Sequence, residues 1–298
     1  MTETIRPDDP HPRRRIHVLD TALSYVDVGA GDPIVFLHGN PTWSYVWRNV
    51  IPHVAEVGRC LAPDLVGMGQ SGASSTGTYR FVDHARHLDA WFDALALDRV
   101  VLVVQAWGSG LGFDWARRHP ARVAGIAHME SLVLPRRWED FPEARAQVFR
   151  DLRDARGETM VFDDNYFVEQ GLPRGIQRPL SDAEMAMYRA PFADRARRRP
   201  MLDWAREQPI GGEPADVLAI VEAYGAFMAT TPIPKLFVNA DPGSLVTGDA
   251  RAFCRTWPAQ REVTVPGLFT VQEDSPHAIG AALRAFVLEL RARRPTAD

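Results

Sequence analysis

The first place to look for chemistry is a strand-to-helix turn in the middle of the chain. Residues 100–104 read VVLVV, a run typical of a strand that is buried on both faces of a parallel sheet. Residues 111–118 then show helical spacing, so the small residues between the two segments predict a tight turn. Such a turn can present a nucleophile at the top of a sheet. The residue at its apex is Ala106, whose methyl group has no nucleophilic atom.

Four other side chains near this turn carry groups that could take part in catalysis. Glu130 follows a predicted strand, and strand alternation places His128 on the same face. His38 lies in the loop after a short strand, and Ser109 lies about one helical turn beyond the apex. We expect buried hydrogen-bonding or capping roles for His38, His128 and Ser109. The sequence contains no evident Ser-His or Cys-His pair and no cluster of metal ligands, so it predicts no metal and no cofactor.

The elements around the turn alternate between strands and helices. Strands are predicted over residues 16–28, 34–37, 59–65, 100–104, 123–129, 235–240 and 262–265, and helices over 43–55, 81–96, 111–118, 214–229, 248–257 and 276–293. This alternation predicts an α/β fold with a mostly parallel, doubly wound sheet and ligands at the carboxyl ends of its strands. The alternation lapses after Ser131, which predicts a helical cap over 131–212 between core segments 1–130 and 213–298. Residues 67–72 have the spacing G-x-G-x-x-G, but no helix follows, so we interpret them as a loop.

Composition excludes several classes of function. The chain has 298 residues, 46% of them hydrophobic, and a net charge of −4, which predicts no surface for nucleic acid. Lys235 is the only lysine, so a Schiff-base mechanism would have to use it. Cys60 and Cys254 lie in apolar or helical contexts and are expected to be reduced core thiols. Residues 1–15 are polar and no apolar run could span a membrane, so we expect a soluble, cytoplasmic protein.

Eight short segments together resemble the haloalkane dehalogenases. They are residues 38–42 (HGNPT), 45–49 (YVWRN), 64–69 (DLVGMG), 107–109 (WGS), 111–115 (LGFDW), 178–180 (RPL), 212–215 (GEPA) and 272–276 (QEDSP). The resemblance covers nearly the whole chain and implies an α/β-hydrolase core with a helical cap.

The resemblance also implies which positions carry the chemistry of this family. An aspartate at the turn attacks the carbon that bears the halogen, a histidine activates the water that hydrolyses the resulting ester, and a carboxylate orients the histidine. Here the orienting carboxylate is Glu130, and the halide-binding pair is Asn40 and Trp107. The nucleophile position is Ala106 and the histidine position is Phe269. Ordinary dehalogenation is therefore predicted to be lost, and two apolar replacements at two indispensable positions indicate an engineered scaffold rather than a naturally inactive relative.

What is left of the pocket supports three hypotheses. Further residues predicted to contact a ligand are Gln105, Trp43, Phe149, Tyr166, Phe167 and Leu245. In the first hypothesis, Glu130 with a pKa raised by burial is a general base that removes a proton from an aromatic substrate, as in a Kemp-type elimination. In the second, the protein is inert and reversibly binds a haloalkane or a dye-like molecule, with a halide ion as a further possible ligand. In the third, residual hydrolysis uses Ser109 or His128.

Overall fold

One mixed sheet organises the protein, in a computed structural model that describes residues 4–293. The eight strands are β1 (Arg13–Val18), β2 (Thr21–Val28), β3 (Pro33–Leu37), β4 (Arg59–Pro63), β5 (Val100–Ala106), β6 (Val123–Ser131), β7 (Lys235–Pro242) and β8 (Gln260–Gly267). Their order across the sheet is β1-β2-β4-β3-β5-β6-β7-β8. β2 pairs antiparallel with β1 and with β4, and the remaining pairs are parallel. The predicted α/β fold is confirmed.

Helices follow the strands and cover the sheet. They are α1 (Phe81–Ala94), α2 (Trp107–Arg118), α3 (Glu143–Arg153), α4 (Arg156–Glu158), α5 (Leu172–Arg174), α6 (Asp182–Arg189), α7 (Arg199–Arg206), α8 (Ala215–Met228), α9 (Gly248–Arg255), α10 (Val271–Asp274) and α11 (Pro276–Ala292). Strand β5 lies at the centre and every one of its residues is buried, as its continuous apolar run predicts. None of the helices within residues 4–293 is both long and apolar enough to cross a membrane.

The segment between β6 and β7 contains α3 to α8 and two π-helical turns, Thr159–Asp163 and Phe167–Gly171. The predicted capping box begins α6: Glu184 N donates to Ser181 Oγ at 3.3 Å, and Ser181 N donates to Glu184 Oε2 at 2.8 Å. The predicted cap boundaries at 131 and 212 stay a prediction, as does the assignment of the core segments, whose residues 1–3 and 294–298 lie outside the described part of the chain.

A buried ion network joins this segment to the core. The Arg48 guanidinium donates to Glu184 of α6 at 2.8 Å and also to Glu273 of α10. Tyr188 donates its hydroxyl proton to Glu273, and Arg178 donates to both carboxylates. Because each buried charge has an opposite partner, the network orients α6 over the core without leaving an isolated ion.

Two predicted elements are wrong. Residues 16–28, predicted to be one strand, belong to two antiparallel strands, β1 and β2, joined by a turn at Leu19 and Asp20. Residues 43–55, predicted to be a helix, form two short 3₁₀ turns, Ser44–Trp47 and Ile51–His53. Residues from other parts of the chain hold this segment in place. Ser44 N donates to Asp64 Oδ1 at 2.9 Å, and the Trp47 ring packs on Phe36 at 5.5 Å between ring centroids. Tertiary contacts of this kind override helical spacing. Cys60 and Cys254 are buried and free, which confirms the expectation for both thiols.

Candidate ligand cavity at the strand-to-helix turn

The turn after β5 has the sharp geometry that its small residues predict. Ala106 is the last residue of β5 and precedes the first residue of α2, with φ +48° and ψ −126°. This backbone conformation is strained for a residue with a side chain. A Cβ at Gly108 would lie 2.3 Å from the Leu37 carbonyl oxygen, so only glycine lets α2 start this close to the end of β3. The turn therefore projects the Ala106 methyl group beyond the carboxyl edge of the sheet.

A cavity of about 430 Å³ lies above this turn. Its walls come from the turn, the loops after β3, β6, β7 and β8, and helices between β6 and β7. The lining residues are Asn40, Pro41, Ala106, Trp107, Leu132, Phe141, Ala144, Arg145, Val148, Phe149, Leu152, Tyr166, Phe167, Gly171, Leu172, Arg174, Gly175, Ala205, Gln208, Ser244, Leu245, Phe269 and Thr270. An apolar, concave site with few polar groups at the carboxyl ends of parallel strands is the usual setting for a small ligand.

Eight of the predicted site residues line this cavity: Asn40, Ala106, Trp107, Phe149, Tyr166, Phe167, Leu245 and Phe269. Trp43 and Gln105 are not among the lining residues, and their contact with a ligand stays a prediction. Trp43 is buried in the core, where its ring stacks on Tyr45 at 5.4 Å. Gln105 Nε2 donates to the Phe269 carbonyl oxygen at 2.9 Å, so this amide joins the turn to the loop after β8.

Glu130 also does not line the cavity, because the end of β6 is irregular. Gln105 pairs with Met129 and Ala106 with Ser131, so Glu130 is the extra residue of a bulge, with φ +41°. Its side chain points to the loop after β7. There Oε2 accepts the backbone N–H groups of Ser244 at 2.9 Å and Leu245 at 2.5 Å, and Oε1 accepts that of Val246 at 3.4 Å.

Burial and hydrogen bonding act on Glu130 in opposite directions. Desolvation raises the pKa of this carboxyl group, while the three backbone N–H groups and the positive charge of Arg251 lower it, and burial is the larger effect. Arg251 also donates to the carbonyl oxygens of Ala240 at 3.0 Å and Pro242 at 2.8 Å, which holds the loop in place around the carboxyl group. The arrangement uses Glu130 to organise the loop after β7.

Sequence and structure comparisons point to one family. A family model described as alpha/beta hydrolase fold matches residues 32–276. A haloalkane dehalogenase of Sphingobium indicum is 54% identical over 284 residues, covering 94% of this chain and 96% of the relative. One from Mycolicibacterium smegmatis is 50% identical, covering 91% of this chain and 89% of the relative. The crystal structure of haloalkane dehalogenase DbeA from Bradyrhizobium elkani superposes with a TM-score of 0.92 at 42% identity, covering 95% and 99% of the two chains.

The chain belongs to the haloalkane dehalogenase family. The motifs around the cavity agree with this membership. Membership of the family does not by itself give this protein a reaction, because Ala106 stands at the turn and Phe269 after β8. Both residues line the cavity, so the positions that the family resemblance gives to the nucleophile and the histidine face the same space. A methyl group and a phenyl ring occupy that part of the wall.

The two side chains that the dehalogenase resemblance assigns to the halide also reach the cavity. Asn40 Nδ2 donates one N–H to the Met201 carbonyl oxygen at 3.1 Å, and within residues 4–293 its second N–H has no hydrogen-bond partner. The Trp107 ring stacks on Trp204 at 4.5 Å between centroids, which fixes the orientation of its indole. This pair could hold a halogen, a halide ion or another electron-rich group.

His38, Ser109 and His128 all have hydrogen-bond partners within the protein. His38 accepts the N–H of Leu65 at its Nε2 (3.0 Å) and bonds the Gly39 carbonyl through Nδ1 (2.8 Å). Ser109 Oγ donates to the Ala106 carbonyl oxygen and accepts the N–H of Leu132 at 2.9 Å. His128 is buried against Phe237 and bonds Gln260 Oε1 at 3.0 Å, and burial lowers its pKa to about 4. The structural roles expected for these three residues are confirmed.

Sequence reasoning missed two cations in the wall of the cavity, Arg145 and Arg174. Arginines are frequent throughout the region between β6 and β7, so neither residue stands out in the sequence. The helical spacing of Arg145 with Phe141, Val148 and Phe149 is the one signal that could have placed it beside the predicted aromatic wall.

Proposed function

We propose that this member of the dehalogenase family binds a small, largely apolar molecule reversibly and forms no covalent bond to it. The observation that carries the proposal is the Ala106 methyl group in the cavity wall, at the place where a nucleophile would have to stand. A methyl group cannot displace a halide, and the Phe269 ring cannot activate a water molecule. Losing a nucleophile and its base typically lowers turnover by about a million-fold.

The remaining groups are suited to holding a ligand. Phe149, Phe167 and Phe269 supply apolar and aromatic area, and Asn40 and Trp107 supply N–H groups at the turn. A haloalkane would place its halogen near that pair and its chain along the phenyl rings. Because neither position 106 nor 269 can react, binding would end with the intact molecule leaving again.

The first test uses 1-bromohexane as the probe. We expect saturable binding, measured as a change in tryptophan fluorescence or by ligand-observed NMR, with bromide release at the background rate and an unchanged intact mass. A mass increase of one hexyl group, or bromide release above background, would refute the proposal. If such release disappears in Ser109→Ala or His128→Gln, the residual-hydrolase hypothesis is supported instead.

The two absent groups can be restored in steps. Ala106→Asp alone should gain a hexyl group in the intact mass, because the ester would form without an imidazole to hydrolyse it. Ala106→Asp with Phe269→His should release bromide over many turnovers and show no stable adduct. Phe269→His alone is the matched control, since it adds the imidazole but no nucleophile. Bromide release by that control at the rate of the double variant would contradict the proposed roles of these positions.

Proton abstraction by Glu130 is the second candidate, favoured by the raised pKa of its carboxyl group. Its geometry is less suitable, because three backbone N–H groups occupy the carboxyl oxygens and the residue does not line the cavity. A benzisoxazole probe tests it: the reaction should rise with pH through a raised carboxyl pKa and vanish in Glu130→Gln. The engineered origin of the chain stays a prediction.

A further inference from the structure

The charge of the cavity wall differs from that of the whole protein. The chain carries a net charge of −4, yet the residues that line the cavity include two arginines, Arg145 and Arg174, and no aspartate or glutamate. Apolar and aromatic side chains make up most of the remaining wall. Arg145 is partly buried and Arg174 is exposed, so the wall offers one partly desolvated cation and a second in solvent, and both favour a ligand with an anionic group.

Arg145 is held at the wall without a carboxylate partner. Within residues 4–293 no acidic side chain forms an ion pair with it, and its Nη1 donates only to Ser244 Oγ, at 3.3 Å. Its guanidinium carbon lies 5.8 Å from the centroid of the Phe141 ring, and that of Arg136 lies 5.0 Å from the same ring. Burial and the charge of Arg136 lower the pKa of Arg145, while the charge of Glu130 raises it.

Glu130 is the carboxylate whose charge acts on Arg145, and its oxygens already accept other hydrogen bonds. The oxygens of Glu130 accept three backbone N–H groups, and Glu130 lies outside the cavity wall. Arg48 shows the contrast, since this buried arginine has two carboxylate partners, Glu184 and Glu273. A partly buried guanidinium without such a partner is costly in free energy, and a ligand carboxylate bound in a bidentate manner would offset that cost.

We infer that the ligand of this cavity is an amphipathic monocarboxylate, with its carboxylate on Arg145 and its apolar body against the aromatic wall near Phe269. Arg174, which lines the same cavity and has no carboxylate partner within the described part of the chain, adds a second positive charge. The inference rests on the proposed function, because it concerns reversible binding in the same cavity. It adds the chemical class of the ligand.

The experiment compares octanoate with 1-octanol, which has the same chain length and no charge. Calorimetric or fluorescence titrations at neutral pH should show octanoate binding at least tenfold more tightly than 1-octanol. Arg145→Gln should weaken octanoate binding at least tenfold and should change 1-octanol binding much less, while the urea unfolding midpoint reports that the variant is folded. Arg145→Lys should recover part of the loss, since it keeps the charge and loses the bidentate geometry.

Arg86→Gln is the matched control, because Arg86 is exposed on α1 and is not part of the cavity wall. It changes net charge equally and should leave both affinities as they were. Equal effects of Arg86→Gln and Arg145→Gln would overturn the inference, as would 1-octanol binding as tightly as octanoate. In those two cases the proposed binding function stands. Failure of both probes to bind would overturn the inference and count against binding in this cavity as well.

Discussion

The strained turn at Ala106 leads to a prediction about stability. In an enzyme, strain at such a turn positions a nucleophile, but Ala106 has none to position. Glycine adopts φ +48° without a clash between Cβ and the backbone, so Ala106→Gly should relieve the strain. We expect the substitution to raise the free energy of unfolding.

The magnitude follows from three contributions. Relief of strain at a non-glycine residue in this region is worth about 1–3 kcal/mol. Glycine increases the entropy of the unfolded chain, which costs roughly 0.4–1 kcal/mol. The methyl group borders the cavity, so its removal forfeits only part of the ~0.8 kcal/mol of a fully buried carbon. The net expectation is a gain of about 1 kcal/mol, or a rise of roughly 2 °C in Tm for a chain of this size.

Urea unfolding followed by tryptophan fluorescence measures the difference. Ala219→Gly is the control: Ala219 is exposed within α8, so glycine there should cost about 0.5–1 kcal/mol. The two substitutions are chemically identical and are expected to shift the midpoint in opposite directions. If Ala106→Gly destabilises the protein as much as Ala219→Gly does, the argument that the turn stores strain is refuted.

Three further predictions concern buried charges. Burial lowers the pKa of His128 to about 4, so as pH falls this imidazole is protonated in the unfolded chain before it is protonated in the folded protein. The free energy of unfolding should therefore drop by about 3 kcal/mol between pH 6.5 and 4. Urea titrations of His128→Gln should not show this drop. The pKa of Glu130 is raised by burial, so its pH effect runs the other way: its contribution to the free energy of unfolding is present below the unfolded pKa and is lost as pH rises through the folded pKa. Glu130→Gln should flatten this part of the profile of unfolding free energy against pH, whatever its effect on overall stability. Arg48→Met would leave buried Glu184 and Glu273 with Arg178 as their one shared arginine partner, so the network would be one positive charge short and should lose roughly 3–5 kcal/mol. Arg189→Met at an exposed ion pair should cost about 1 kcal/mol or less, and equal losses in Tm would contradict the assigned difference in burial.

Much of the fold could be predicted from local sequence. The VVLVV run, the capping box at Ser181 and the alternation of strands with helices each depend on residues close together in the chain. The absence of a nucleophile at Ala106 was equally visible, because the turn between β5 and α2 is a local feature. For such elements, side-chain shape and spacing are sufficient physical information.

The tertiary structure decided which side chains reach the cavity. One extra residue at the end of β6 turned Glu130 away from the cavity, and alternation along a strand cannot reveal a bulge that depends on pairing with β5. Trp43 lies in the core since distant contacts override its helical spacing, and Arg145 reaches the cavity because α3 packs over the end of the sheet. The sequence alone therefore determined the fold and the missing nucleophile, while the position of each remaining charge depended on long-range packing.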